Sequence, residues 1–67
     1  MFKINSKFAR ELFVQSGWSL HRLALKSGLP LRTVANLLCS DRVAPLKTIE
    51  KLANAFNLGG ESLILRD

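Results

Sequence analysis

Apolar residues return every three to four positions along most of this chain, the spacing that gathers them on one side of a helix. In residues 7–15 (KFARELFVQ), Phe8 and Leu12, with Phe13 beside them, form an inner stripe, and Lys7, Arg10 and Glu11 point outward. Residues 20–27 turn Leu20, Leu23 and Ala24 inward, and residues 30–39 do the same with Val34, Leu37 and Leu38. Residues 46–56 bury Ile49, Leu52, Ala53 and Phe56 while Lys47, Glu50, Lys51 and Asn54 face out. Turn residues punctuate the pattern. Asn5 or Ser6 caps the first helix and Ser19 the second, each offering a side-chain oxygen to an orphan N–H. Gly17 and Gly28 end these two helices, because a residue without Cβ adopts the left-handed conformation cheaply. Pro30 suits the first position of the third helix, where its missing N–H costs nothing. Asn57, Gly59 and Gly60 break the fourth.

The two ends leave alternatives. Residues 1–5 form an extended or disordered arm, whose Phe2 and Ile4 pack beneath the first helix or pair with another strand. Residues 61–65 (ESLIL) form a short fifth helix, or Leu63-Ile64-Leu65 forms a strand against Phe2-Lys3-Ile4 or against its copy in a second subunit. Trp18 plugs the junction of the first two helices or stacks on a base.

Sixty-seven residues make one domain with a small core, which favours close helix packing or burial against a second subunit. Being 48% hydrophobic, the chain is globular rather than disordered. Cys39 is the single cysteine, so no intramolecular disulfide forms, which suits a reducing cytosol. Unbroken apolar runs stop at three residues, too short to span a membrane, and the start is too polar for a signal peptide. An enzyme is excluded by one histidine without a partner (His21), no tyrosine, no paired inward carboxylates and no phosphate-binding glycine loop. No cofactor or metal is expected. A membrane-active peptide is excluded too, since turns interrupt every helix.

Charge changes the picture by its distribution. Residues 1–33 hold six of the ten Lys and Arg but only one of the five Asp and Glu, whereas residues 34–67 are balanced. Such asymmetry suits a polyanionic partner, or it merely solvates the surface. The third helix sharpens the question. Opposite Val34, Leu37 and Leu38 lie Arg32, Asn36 and Cys39, with Thr33 and Ala35 at the margins and Leu31 at the N-terminal edge. This is either an ordinary solvated face or one that reads base edges. Arg32 has the two parallel donors that guanine O6 and N7 accept, Asn36 can donate to and accept from adenine, and Leu31 and the Thr33 methyl suit thymine methyls.

Ser19, Leu23-Ala24, Gly28, Val34 and Leu37 fall on the pattern S-x-x-x-L-A-x-x-x-G-x-x-x-x-x-[IV]-x-x-[IL]. That pattern resembles the helix-turn-helix of the phage Cro and lambda-repressor (XRE-like) family, and the similarity runs on through Pro45 and LKTIEKLANAFNL to cover residues 6–64. The resemblance implies an all-α, compact four- to five-helix bundle of the lambda-repressor-like DNA-binding type, with helices 2 and 3 as the motif. The chain is then a single domain over residues 1–67 with the motif at 19–39, and its C-terminal segment at 57–67, too apolar for a free tail, is the expected dimerisation segment. At the family position of Trp18 an apolar residue is core, which favours the packed alternative. Base contacts are implied at Leu31, Arg32, Thr33 and Asn36. Phosphate contacts are expected from Ser19, from Arg22 and Lys26 on one face of helix 2, and from Ser40, Arg42 and Lys47 around the loop at 40–45. The expected dimer surface comprises Phe56, Leu58, Leu63, Ile64 and Leu65. Three departures stand out. Leu31 replaces a frequent glutamine and Leu20 a polar residue, so operators of family members do not transfer. Ser40 stands where glycine is usual, which argues against a left-handed turn there.

The function implied is sequence-specific binding of double-stranded DNA by a homodimeric transcriptional repressor. It would occupy an inverted-repeat operator in the cytoplasm of a bacterial or phage-infected cell and regulate its own short operon through its concentration. Phage switches, toxin–antitoxin operons and anti-CRISPR operons use such proteins. The alternative is an antitoxin-like module that masks a partner protein, motivated by the apolar C-terminal segment.

Overall fold

In the computed structural model, which describes residues 1–65, the N-terminal arm pairs with a short strand between the third and fourth helices and, on its other side, bridges the C-terminal segment. The order is β1 (Phe2–Lys3), α1 (Ser6–Ser16), α2 (Leu20–Ser27), α3 (Leu31–Cys39), β2 (Val43–Ala44), α4 (Leu46–Ala55) and a 3₁₀ turn (Gly60–Leu63). The all-α bundle that the resemblance implied is the fold, with this small ribbon added to it. The expected dimerisation segment extended to residue 67; its residues 66 and 67 lie outside the described residues.

Local chemistry sets the helix ends. Asn5 Oδ1 accepts from Phe8 N at 3.2 Å and Ser19 Oγ from Arg22 N at 3.2 Å, so both expected N-caps are made. Gly17 and Gly28 take φ of 73° and 74°, and the Gly28 N–H returns to Ala24 O. Pro30 stands one residue earlier than expected, at the N-cap of α3, where its φ of −59° and ψ of 146° keep it outside the helix. Pro45 has the same place before α4. Ser40 is extended, as the missing glycine implied. Asn57 stops α4 in the left-handed conformation that asparagine tolerates, with φ of 61°.

The core is built from Ile4, Ala9, Leu23, Val34, Leu37, Leu38, Ala44, Ile49, Leu52, Ala53 and Leu63, with Phe8, Leu12, Phe13, Trp18, Leu20, Ala24, Phe56 and Leu58 packed around it. The fully buried residue of α1 is therefore Ala9 rather than Phe8 or Leu12, which lie at the edge of its stripe. Trp18 is part of the core wall, and its ring stacks on Phe56 with centroids 5.5 Å apart.

The N-terminal arm is ordered. Phe2 pairs with Ala44 and Lys3 with Val43, antiparallel, a partner the pattern did not predict. On its other side Ile4 bridges Ile64, Asn5 N donates to Leu63 O at 2.7 Å, and Leu65 N donates to Lys3 O at 2.7 Å. Residues 60–63 form a 3₁₀ turn in place of a longer fifth helix, and Ile64 then makes a single intramolecular bridge to the arm in place of a three-residue strand. One expectation is corrected here. Leu63 is 0% exposed and belongs to the protomer's own core, so it has no surface to offer a second subunit. Phe56, turned to Trp18, and Leu58, Ile64 and Leu65 are partly buried.

Gly60 is small for a packing reason. A Cβ there would meet Glu50 Cγ at 2.5 Å and Glu50 Cα at 3.3 Å, so the turn lies directly against α4. Gly60→Ala should lower stability by about 1–3 kcal/mol through overpacking. The urea midpoint should fall with an unchanged m-value; an unmoved midpoint would show that the turn yields freely.

Candidate functional site

The third helix carries the candidate surface, and its back fixes its front. Val34, Leu37 and Leu38 are 0%, 3% and 6% exposed, whereas Leu31, Arg32, Asn36 and Cys39 are exposed and Thr33 and Ala35 intermediate. Arg32, Asn36 and Cys39 follow at intervals of four and three residues, one stripe along the helix. The four residues expected to reach bases, Leu31, Arg32, Thr33 and Asn36, occupy its first turn and a half. They are forked, short or apolar, so together they can offer paired donors, an amide and methyl contacts to base edges. Pro30 supplies no side-chain cap, so the first N–H groups of α3 remain open to an anionic oxygen.

The residues expected to bind phosphate come before and after α3 in the chain, and all six are exposed. Arg22 and Lys26 share one exposed face of α2, and the turn through Gly28 and Pro30 brings the end bearing Lys26 beside the start of α3. Lys26 Nζ lies 4.9 Å from the centre of the Trp18 ring, a cation–π contact that steadies the ammonium while leaving it in solvent. Ser19 lies at the opposite end of α2, where its hydroxyl accepts from the Arg22 N–H and still has a proton to donate. Ser40, Arg42 and Lys47 are exposed and follow the C-terminal end of α3 in the chain, Lys47 in the first turn of α4. Lys26 thus leads into α3, Ser19 stands at the far end of α2, and Ser40, Arg42 and Lys47 come after α3 in the chain. His21 is exposed, and Cys39, on the polar side of α3, is a free, exposed thiol.

Two functional side chains escaped the sequence reading. Arg10, expected merely to face outward, donates through Nη1 to Leu38 O at 2.7 Å and to Cys39 O at 3.3 Å. It caps the end of α3, where no glycine does so, and its charge suits the negative pole of the helix. Asp41 is the second. Its Oδ1 accepts from Ser6 Oγ at 2.6 Å and from Ser6 N at 3.0 Å, which ties the loop after α3 to the start of α1. The one signal for either residue was Ser40. A helix end without its glycine needs donors from elsewhere.

Those two hydrogen bonds from Ser6, side chain first and then backbone, hold the Asp41 carboxyl below the usual carboxylate range, with Lys3 and Arg10 adding to the effect. Among the described residues no cluster of His, Cys, Asp or Glu could hold a metal, and no helix is long and apolar enough to cross a membrane.

A buried apolar stripe under α3, an exposed polar stripe above it and a helix packed across its start define a helix-turn-helix protein. A family model described as helix-turn-helix matches residues 9–63, and the chain belongs to that family, of the XRE type. It is a DNA-binding transcription regulator of that type, a family of regulators and not of enzymes. No curated protein and no solved structure matches the chain significantly.

The lowered Asp41 pKa makes a prediction with a definite sign. The stability it contributes is complete above the ordinary aspartate range, near pH 3.9, and is lost as pH falls through the depressed folded value. Asp41→Asn should remove this part of the acid dependence, so that melting curves of the two proteins converge as pH falls from 5 towards 2. A constant gap between them would show that the carboxylate makes no such contact.

Proposed function

We propose that this regulator is a repressor that binds an inverted-repeat operator as a homodimer, with α3 lying in the major groove. The observation that carries the reading is the division of α3, whose Val34, Leu37 and Leu38 are buried while Arg32 and Asn36 stand exposed along one stripe. The major groove of B-DNA admits one helix and shows a distinct donor and acceptor pattern for each base pair. Arg32 bonds guanine O6 and N7, Asn36 reads adenine, and Leu31 and Thr33 pack on thymine methyls. Lys26 and Arg22 grip the backbone on one side, with Ser19 completing that strand contact. Arg42, Ser40 and Lys47 grip it on the other. Base contacts choose the sequence, and phosphate contacts supply register and the salt-sensitive part of the affinity.

A two-fold dimer sets two copies of α3 roughly 34 Å apart in successive major grooves. Occupation of a promoter then excludes polymerase, and control of the chain's own operon follows from its concentration. Phe56, Leu58, Ile64 and Leu65 are the partly buried residues left for the dimer contact. Of the apolar C-terminal segment that motivates the masking alternative, Leu63 is taken up by the protomer's own core, while Ile64 and Leu65 stay partly buried.

Selection of bound sites from random duplex DNA should return a palindromic motif with half-sites about one helical turn apart. Arg32→Ala should then cost about 1–3 kcal/mol at one base position and relax preference there. Recovery of no enriched sequence from a folded protein would contradict the proposal, and a loss equal on all sequences would make Arg32 a phosphate ligand.

A further inference from the structure

The loop that follows α3 is held from two sides. Arg10 reaches across from α1 to the carbonyls of Leu38 and Cys39. Four residues earlier on α1, the buried Ser6 receives the Asp41 carboxylate with both its hydroxyl and its N–H. Positions 6 and 10 share one side of α1, so a single helix face clamps residues 38, 39 and 41. Arg42 comes next, and its carbonyl accepts from Ile4 N at 2.8 Å. Its backbone is therefore fixed on both sides while its side chain stands exposed.

We infer that Asp41 is a positioning residue for DNA binding, which it supports by fixing the backbone from which Arg42 reaches a phosphate. The inference rests on the binding mode proposed above. It also runs against simple charge counting. Removing a carboxylate from a surface that meets a polyanion should tighten binding. Removing this carboxylate frees the loop, and Arg42 must then be ordered at the moment of binding.

The test is Asp41→Ala, Arg42→Ala and their combination, with Ser6→Ala, which removes the 2.6 Å hydroxyl bond to Asp41, as a second variant should Asp41→Ala fail to fold. Affinity for the selected operator is measured against salt. Asp41→Ala should bind about three- to tenfold more weakly than wild type and show a salt slope shallower by up to about one unit, as expected when a phosphate contact is lost. Arg42→Ala should cost much less in that background than in wild type, because the contact is already compromised. A purely structural Asp41 would leave the two effects additive. Amide exchange without DNA adds a further readout, in which the Ile4 N–H, bonded to Arg42 O, should exchange faster while Leu52 stays protected.

Equal or tighter binding by Asp41→Ala, additive losses, or unchanged exchange at Ile4 would each overturn the inference. A wild-type chain that binds no duplex would instead defeat the functional reading beneath it.

Discussion

The burial of Val34, Leu37 and Leu38 governs everything the third helix can do. A nine-residue helix is too short to persist alone in water, so α3 exists because those side chains are packed against its neighbours. Truncating one of them to alanine typically costs about 2–5 kcal/mol. A chain of this length commonly has only about 3–10 kcal/mol to lose. The same packing fixes the rotation of the helix about its axis, and through that rotation the direction in which Arg32 and Asn36 point. Core and recognition surface are two sides of one constraint.

That constraint is completed by polar contacts from α1, not by the helix's own residues. The first two helices end on glycines that fold the backbone back, while α3 ends on an extended Ser40. Arg10 supplies the missing donor and Asp41 the return tether. A residue counted among the cations available to a polyanion is thereby engaged within the protein. Arg22, Arg32, Arg42 and Lys47 stand exposed without such an engagement, and Lys26 lies above its tryptophan; these are the cations proposed to meet DNA.

What the sequence made legible was what repeats or punctuates. The stripes of all four helices, the caps at Asn5 and Ser19 and the stops at Gly17 and Gly28 are local, and local patterns survive in a one-dimensional string. The division of α3 into a buried and an exposed side followed from angle alone. The polar clamp did not, because Arg10 and Leu38 are 28 positions apart and Ser6 and Asp41 35, and such pairs leave no periodic trace. The ribbon was missed for a related reason, since two-residue strands are too short to alternate visibly. Leu63 was misjudged on the assumption that an apolar tail must seek a partner. In so small a protein the core itself needed it. Gly60 was read as a breaker and serves instead as a point of close approach to α4.

The account stands or falls on which side of the molecule meets the duplex. Amide shifts of isotopically labelled protein, followed while the selected operator is added, report that side directly. The largest changes are expected at Leu31, Arg32, Thr33 and Asn36, with a second group at Arg42 and its neighbours and little change at Leu52. Changes centred instead on the outer side of α1, around Val14 and Gln15, with α3 unmoved, would contradict it.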